Sequence, residues 1–118
     1  MLEADEPEIL AGQDHAANPV EHLLHALAGC LTSSMVYHAA TRGIEIEELE
    51  SRLEGELDMN GFLGLSSDVR KGYQNIRVTS RVKTNSENLD TLRELAEFSP
   101  VLDVVSHGTL VDLKVESM

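Results

Sequence analysis

The side chain in this sequence best suited to chemistry is that of Cys30, the only cysteine in the chain. A single cysteine excludes an internal disulfide and a cysteine-rich zinc site. A thiol becomes a strong nucleophile only as its thiolate, which a nearby cation stabilises. The sequence neighbours of Cys30 are small or apolar, and a free cysteine in such surroundings is usually a buried core residue. Cys30 is therefore a candidate for thiol chemistry, with core packing as the alternative.

The histidines are the other residues that could bind or react. His22 and His25 are three positions apart on one predicted helix face, a spacing that can hold a metal ion. Without a third ligand at a regular spacing, surface or interface histidines are the commoner explanation. His38 and His107 have no serine or cysteine partner at a spacing typical of a hydrolase triad. The glycines match neither a phosphate-binding nor a dinucleotide-binding motif. We therefore predict no metal and no cofactor.

Length and charge limit the class of protein. The chain has 118 residues, enough for one domain over residues 1–118 with a modest core, and aromatic residues make up only 3 %, so that core must be aliphatic. The formal net charge of −12 would repel phosphate backbones and anionic lipids, so we expect no nucleic-acid or membrane partner. Neither a signal peptide nor an apolar run of about 18 residues is present, which favours a cytoplasmic protein.

A long helix is predicted to position Cys30. Asn18 suits the N-cap, Pro19 the first helical position, and Glu21 can reach back to the cap amide. Gly43 supplies the C-terminal stop. The helix is expected to be about 36 Å long and to form the centre of the fold. Its helical stripe consists of Leu23, Leu24, Leu27, Ala28, Leu31 and Met35.

The remaining elements are predicted to form a sheet and two short helices. Residues 52–58, 76–83 and 111–116 alternate apolar and polar side chains, which indicates three antiparallel strands with one solvated face. Residues 60–61, Asn-Gly, predict a turn, followed by a loop to residue 73. An amphipathic helix begins near Ser86, and a short helix runs from Pro100 to about Ser106, ended by Gly108.

This order predicts an α+β fold in which the long central helix packs on an antiparallel sheet. Residues 1–17 are acidic and are expected to form a loop. A three-stranded sheet is too small to bury the whole apolar face of so long a helix. Either strands are missing from this chain, or a second subunit supplies them.

Residues 18–31, 72–76 and 99–105 carry three motifs in one order and spacing along the chain. Together they resemble the OsmC/Ohr family of thiol-dependent peroxide-defence proteins. Residues 18–24 (NPVEHLL) and 26–31 (ALAGCL) resemble the family's Asn-Pro helix with its reactive cysteine. Residues 72–76 (GYQNI) match a strand opening in one branch of the family, and residues 99–105 (SPVLDVV) match the place where peroxidase members carry Cys-Pro. The resemblance implies an intertwined α+β homodimer that reduces organic hydroperoxides at sites on the subunit interface. Family members carry more chain before the Asn-Pro pair than this sequence does. We therefore expect the domain to be short at its N-terminus, as a naturally short member, a fragment or an incompletely represented gene.

The resemblance assigns roles to particular positions. Cys30 matches the cysteine that attacks the peroxide, and Ser99 stands where the second, resolving cysteine is found. An external thiol or the partner subunit's Cys30 would therefore be needed as reductant. A serine before a proline at a helix start also suits an N-cap, which is the alternative role of Ser99. The family's assisting glutamate directly follows the Asn-Pro pair, where this chain has Val20. Glu21, one position later, is the candidate for that role, and a capping partner of Asn18 is the alternative. The family's activating arginine precedes the helix, whereas the first basic residue here is Arg42. Arg77 or Arg81 could substitute only if the fold brings one of them close, and their alternation fits the solvated face of a strand better.

Three functions remain open at this point. The first is a peroxidase that acts through Cys30, with Glu21 assisting. The second is a dimer whose interface cleft binds a small apolar ligand, with Cys30 as a packing residue. The third is a catalytically degenerate homologue whose exposed helix pairs with another chain, and a large uncovered apolar surface would favour it.

Overall fold

The structure, a computed structural model, describes residues 18–118, and the predicted N-terminal loop lies outside them. Helix α1 (Pro19–Thr41) begins as predicted: the Asn18 side chain accepts a hydrogen bond from the Glu21 amide at 2.9 Å, and the Asn18 amide donates to Glu21 Oε1 at 3.4 Å. These reciprocal bonds form a capping box, which satisfies two amides that the helix itself leaves without partners.

The C-terminal end of α1 is also as predicted. Gly43 has φ of 68°, a left-handed conformation that favours glycine. The amide of Gly43 donates to the carbonyl of Ala40 at 3.3 Å, and that of Ile44 donates to Ala39 at 2.9 Å. This pair of bonds is the Schellman motif, and it reverses the chain towards the first strand.

The sheet consists of two antiparallel strands, β1 (Glu48–Leu57) and β2 (Tyr73–Lys83), with Leu53 opposite Val78. Alternate residues of β1 turn inward and are half-buried, while the charged residues between them are exposed. On the exposed face Arg77 contacts Glu54 at 3.3 Å and Glu56 at 3.1 Å. The predicted period-two pattern is confirmed for these two strands.

The connection between the strands differs from the prediction at its start. The Asn-Gly pair lies within a short helix, α2 (Met59–Phe62), instead of a hairpin turn. The side chain of Asp58 caps this helix by accepting a hydrogen bond from the Asn60 amide at 2.9 Å. A capping aspartate two positions earlier therefore decides the local structure. The rest of the connection, up to β2, is a loop as predicted.

After β2 a single 3₁₀ turn (Ser86–Asn88) leads into α3 (Leu89–Ala96), and α4 (Pro100–His107) follows, as predicted. Helices α1 and α3 share the core, which is aliphatic as the composition predicts. Its buried cluster consists of Met35, Ala39, Leu92 and Leu95, with Ile44, Ile46, Leu49, Val82 and Ala96 packed against it. The α+β architecture, with helices packed on an antiparallel sheet, is confirmed.

The predicted third strand, residues 111–116, is not formed. A strand exists only where a neighbouring edge accepts its hydrogen bonds, and this segment pairs with neither β1 nor β2. Its apolar residues stay in solvent: Val111 and Leu113 are each 81 % exposed, and Val115 is 90 % exposed. The strand that the alternating pattern predicted for this segment is therefore wrong.

Candidate functional site

Cys30 is the central residue of α1, and its side chain is partly exposed. On either side, Leu27 and Leu31 belong to the buried row of the helix, so Cys30 lies at the margin of the core. Within residues 18–118 the thiol has no hydrogen bond and no ion pair. Partial exposure gives a solvent-borne oxidant access to the sulfur, whereas full burial would prevent it.

The arginines that could stabilise a thiolate are engaged elsewhere. Arg42 donates to the carbonyl of His38 at 3.3 Å, at the far end of α1. Arg81 contacts Glu50 at 3.5 Å on the exposed face of the sheet. Hydrogen bonds to Glu56 and Glu54 raise the pKa of the Arg77 guanidinium, which keeps its charge on that face. Arg77 and Arg81 are therefore solvated strand residues, as their alternation predicted.

Glu21 is held by the capping box in the first turn of α1. It precedes Cys30 by nine residues on the same helix. At 1.5 Å and 100° per residue, this separation corresponds to about 13 Å along the axis and about two and a half turns around it. Glu21 and Cys30 of one protomer therefore lie on opposite sides of α1. A direct contact within one chain is excluded while the helix is intact.

Ser99, at the position of the family's resolving cysteine, is the N-cap of α4. Its hydroxyl accepts a hydrogen bond from the Leu102 amide at 3.1 Å, and the residue is 1 % exposed. This arrangement confirms the capping role predicted from the Ser-Pro pair. A hydroxyl cannot form a disulfide, so this position has a structural use only.

An open groove of about 900 Å³ lies between the inner face of β2 and the helices. Its floor is aliphatic, with Leu31 and Met35 from α1 beside Val78 and Val82 from β2. Charged side chains stand at the rim. The rim residues are Arg93, Glu97, Asp103 and His107. The groove begins one residue from Cys30, but the thiol does not line it.

The sequence of this chain matches one protein family, OsmC-like protein, over residues 12–114. The chain belongs to the OsmC-like family. The match covers nearly the whole sequence, including α1 with Cys30 and the capping serine of α4. No curated protein matches the chain.

The fold of this chain is similar to that of solved structures of OsmC-like proteins. One of them is an organic hydroperoxide resistance protein OsmC from Legionella pneumophila, described as a predicted redox protein and regulator of sulfide bond formation. It is 20 % identical to this chain with a TM-score of 0.67, and the match covers 91 % of this chain and 74 % of that one. A putative osmotic stress induced and detoxification response protein from Psychrobacter arcticus is 14 % identical with a TM-score of 0.70, covering 89 % and 72 %. An OsmC like protein from Mycoplasma pneumoniae is 17 % identical with a TM-score of 0.68, covering 86 % and 69 %.

Two further properties bear on what the OsmC-like chain can do. From residue 18 to the C-terminus, no group of three or more histidine, cysteine or acidic side chains is arranged to hold a metal ion. His22 and His25 are therefore not part of such a group. In the same part of the chain, no helix is long and apolar enough to cross a membrane.

Sequence reasoning missed one residue close to a candidate side chain. Tyr73, at the start of β2, donates a hydrogen bond from its hydroxyl to the carbonyl of Val20 at 2.8 Å, next to Glu21. In the sequence Tyr73 appeared only as part of the GYQNI segment. Its partner is 53 positions away. A glycine at position 55, inside an alternating strand, was a signal of close approach that could have pointed to this contact.

Proposed function

We propose that this OsmC-like chain is a thiol-dependent peroxidase that reduces organic hydroperoxides through Cys30. The observation that carries the proposal is the partly exposed Cys30 at the centre of α1, the helix that the resemblance assigns to the reactive cysteine. The Legionella protein of the same fold is described as an organic hydroperoxide resistance protein. In this proposal Cys30 reacts with the peroxide, and its position at the margin of the core limits the exposure of its side chain.

The proposed reaction begins with the Cys30 thiolate attacking the terminal oxygen of the hydroperoxide. A sulfur–oxygen bond forms, the oxygen–oxygen bond breaks, and the alkoxide leaves as an alcohol after taking up a proton. Sulfur is oxidised by two electrons to the sulfenic acid. One external thiol then releases water and forms a mixed disulfide, and a second regenerates Cys30 with an external disulfide as product. This cycle uses no cysteine at position 99, and a reducing cytoplasm would supply the thiols.

We infer that the active form is a homodimer. Helix α1 has apolar side chains beyond its buried row: Leu23 is 39 % exposed and Val36 is 46 % exposed. A helix that is apolar around its circumference normally requires cover on every side. The exposed Val111, Leu113 and Val115 add a second uncovered surface. A second copy of the chain would bury both, and the proposal requires that the partner's Glu21 reach the thiol, which Glu21 of the same chain cannot do.

The test is the reaction of purified protein with a stoichiometric amount of cumene hydroperoxide in the presence of a sulfenic-acid trap. We expect rapid adduct formation at Cys30, detected by mass spectrometry, and none in Cys30→Ser. Oxidation no faster than that of free cysteine would contradict the proposal. Light scattering of the same sample tests the dimer, and a folded monomer would contradict it.

The groove favours a second candidate, the binding of a small apolar ligand. Its aliphatic floor and charged rim are typical of sites that enclose the apolar part of a ligand. If the groove stays open in the assembled protein, the fluorescent probe 8-anilinonaphthalene-1-sulfonate should bind with one site per chain. Val78→Arg, which adds a charge at a 37 % exposed position of the groove floor, should abolish that binding. Failure of the wild-type protein to bind the probe would favour a groove filled by the second copy.

A further inference from the structure

Tyr73 joins the sheet to the first turn of α1. Its hydroxyl donates to the carbonyl of Val20 at 2.8 Å. Glu21 is the next residue of the helix, and its charge acts on the Tyr73 phenol. The hydroxyl therefore reaches α1 beside the candidate carboxylate. We call this hydrogen bond the Tyr73 tether.

The sheet is built to accommodate the Tyr73 ring. A Cβ atom at Gly55 would lie 2.6 Å from the ring atoms Cδ1 and Cε1, so any larger residue would displace the ring. The register also shifts here, since Glu56 pairs with Asn75 whereas Leu57 pairs with Tyr73. Such a bulge redirects the side chains next to it. The glycine leaves room for the Tyr73 ring, and the bulge sets the direction of the Tyr73 side chain.

Among residues 18–118, the first turns of α1 contribute no fully buried side chain to the core. The buried row of the helix begins only at Leu27, and Val20 and Leu23 are more than a third exposed. The capping box closes the first turn on itself but does not attach it to the sheet. Helix ends that bury few side chains open more readily than buried turns. The Tyr73 tether is thus a long-range attachment close to Glu21.

We propose that Tyr73 is a positioning residue for Glu21, which fixes the first turn of α1 against the sheet so that the carboxylate is presented in one geometry. This proposal rests on the proposed peroxidase function. A phenol donates to a carbonyl only while it is protonated. Burial, and then the Glu21 carboxylate, raise the pKa of Tyr73, so the donor persists throughout the neutral range.

The first experiment measures the tether without reference to activity. In Tyr73→Phe we expect amide hydrogen exchange over residues 22–25 to accelerate by about two- to tenfold, as for the loss of one neutral hydrogen bond. Amides over residues 35–39 should be unchanged. Tyr37→Phe is the matched control, because it removes a hydroxyl from a tyrosine that is 67 % exposed on the same helix. Equal exchange in the two variants would overturn the tether.

The second experiment tests whether Tyr73 acts through Glu21. We expect Tyr73→Phe and Glu21→Gln each to slow trapping of the Cys30 sulfenic acid by about 10- to 100-fold, a range typical of lost alignment. The double variant should be no slower than Glu21→Gln alone. If Tyr73 acts only through Glu21, its hydroxyl has no further effect on the rate once Glu21 is replaced. Tyr37→Phe should react at the wild-type rate. Multiplicative effects in the double variant would refute positioning through Glu21.

The two experiments separate the failure of the tether from the failure of the peroxidase. A wild-type Cys30 that reacts no faster than free cysteine would end both the peroxidase function and the positioning role, even with the exchange result as expected. A reactive Cys30 whose rate is unchanged in Tyr73→Phe would end the positioning role alone.

Discussion

The hydroxyl of Ser99 accepts a hydrogen bond from the backbone amide of Leu102 at 3.1 Å. The position that the resemblance assigns to a resolving cysteine is occupied here by a serine that begins a helix. Because Ser99 is 1 % exposed, its hydroxyl would have no water to replace this partner. The structural role of the position is complete without any redox chemistry.

Ser99→Ala should lower the free energy of unfolding by about 1 kcal/mol, because the Leu102 amide loses its cap. Ser99→Thr, which keeps an acceptor oxygen, is the control and should recover part of the loss. Chemical denaturation measures both. The rate of Cys30 oxidation should be the same in wild type and Ser99→Ala, and a slower rate in the alanine variant would mean that the hydroxyl takes part in the reaction.

The two roles of Glu21 can be separated by substitution. Asn18→Ala removes the side chain that accepts from the Glu21 amide and should cost about 1 kcal/mol of stability. Glu21→Gln keeps the capping-box acceptor but removes the charge, so it should cost only about 0.3–1 kcal/mol. If Glu21 only caps, thiol oxidation should be equally fast in Glu21→Gln and wild type. A much slower oxidation in Glu21→Gln would support the catalytic role.

Leu92→Ala should be among the most destabilising single changes. Leu92 is 1 % exposed in the cluster that joins α3 to α1, so truncation leaves a cavity and should cost about 2–5 kcal/mol. Leu65→Ala is the matched control, because Leu65 is 71 % exposed in the loop before β2 and its truncation should change stability by less than about 0.5 kcal/mol. Thermal or chemical denaturation of both variants gives the comparison. Similar losses in the two would contradict this core.

Stability should depend on alkaline pH through Tyr73. Burial and the Glu21 carboxylate raise the pKa of the phenol above its ordinary value of about 10. The folded state then holds this proton more tightly than the unfolded state, so the stabilisation is complete below about pH 10 and is lost as the pH rises through the folded-state pKa.

The measurement is the ultraviolet absorbance of the phenolate in a Tyr37→Phe background, which leaves Tyr73 as the only tyrosine. Adding Glu21→Gln should move the pKa of Tyr73 part of the way down, because burial remains while the repulsive charge is gone. A pKa of Tyr73 at or below the ordinary value would contradict both the burial of the phenol and the influence of the Glu21 charge.

The sequence by itself determined the features that depend on neighbouring residues. Both ends of α1, the Ser99 cap and the termination of α4 at Gly108 were predicted correctly, because caps and stops are local hydrogen-bond arrangements. The placement of Cys30 on the long helix followed from the same local signals. The segment containing Asn60 was predicted less well, since a nearby capping aspartate competes with the turn that Asn-Gly favours.

Only the tertiary structure decided which alternating segments pair and which side chains meet. Residues 111–116 have the spacing of a strand, but pairing needs an edge that the alternation cannot supply. The contact of Tyr73 with Val20 joins residues far apart in sequence, and its geometry depends on a bulge and a glycine on another strand. Local chemistry is encoded by neighbours in the chain, whereas contacts between distant residues exist only after the chain has packed.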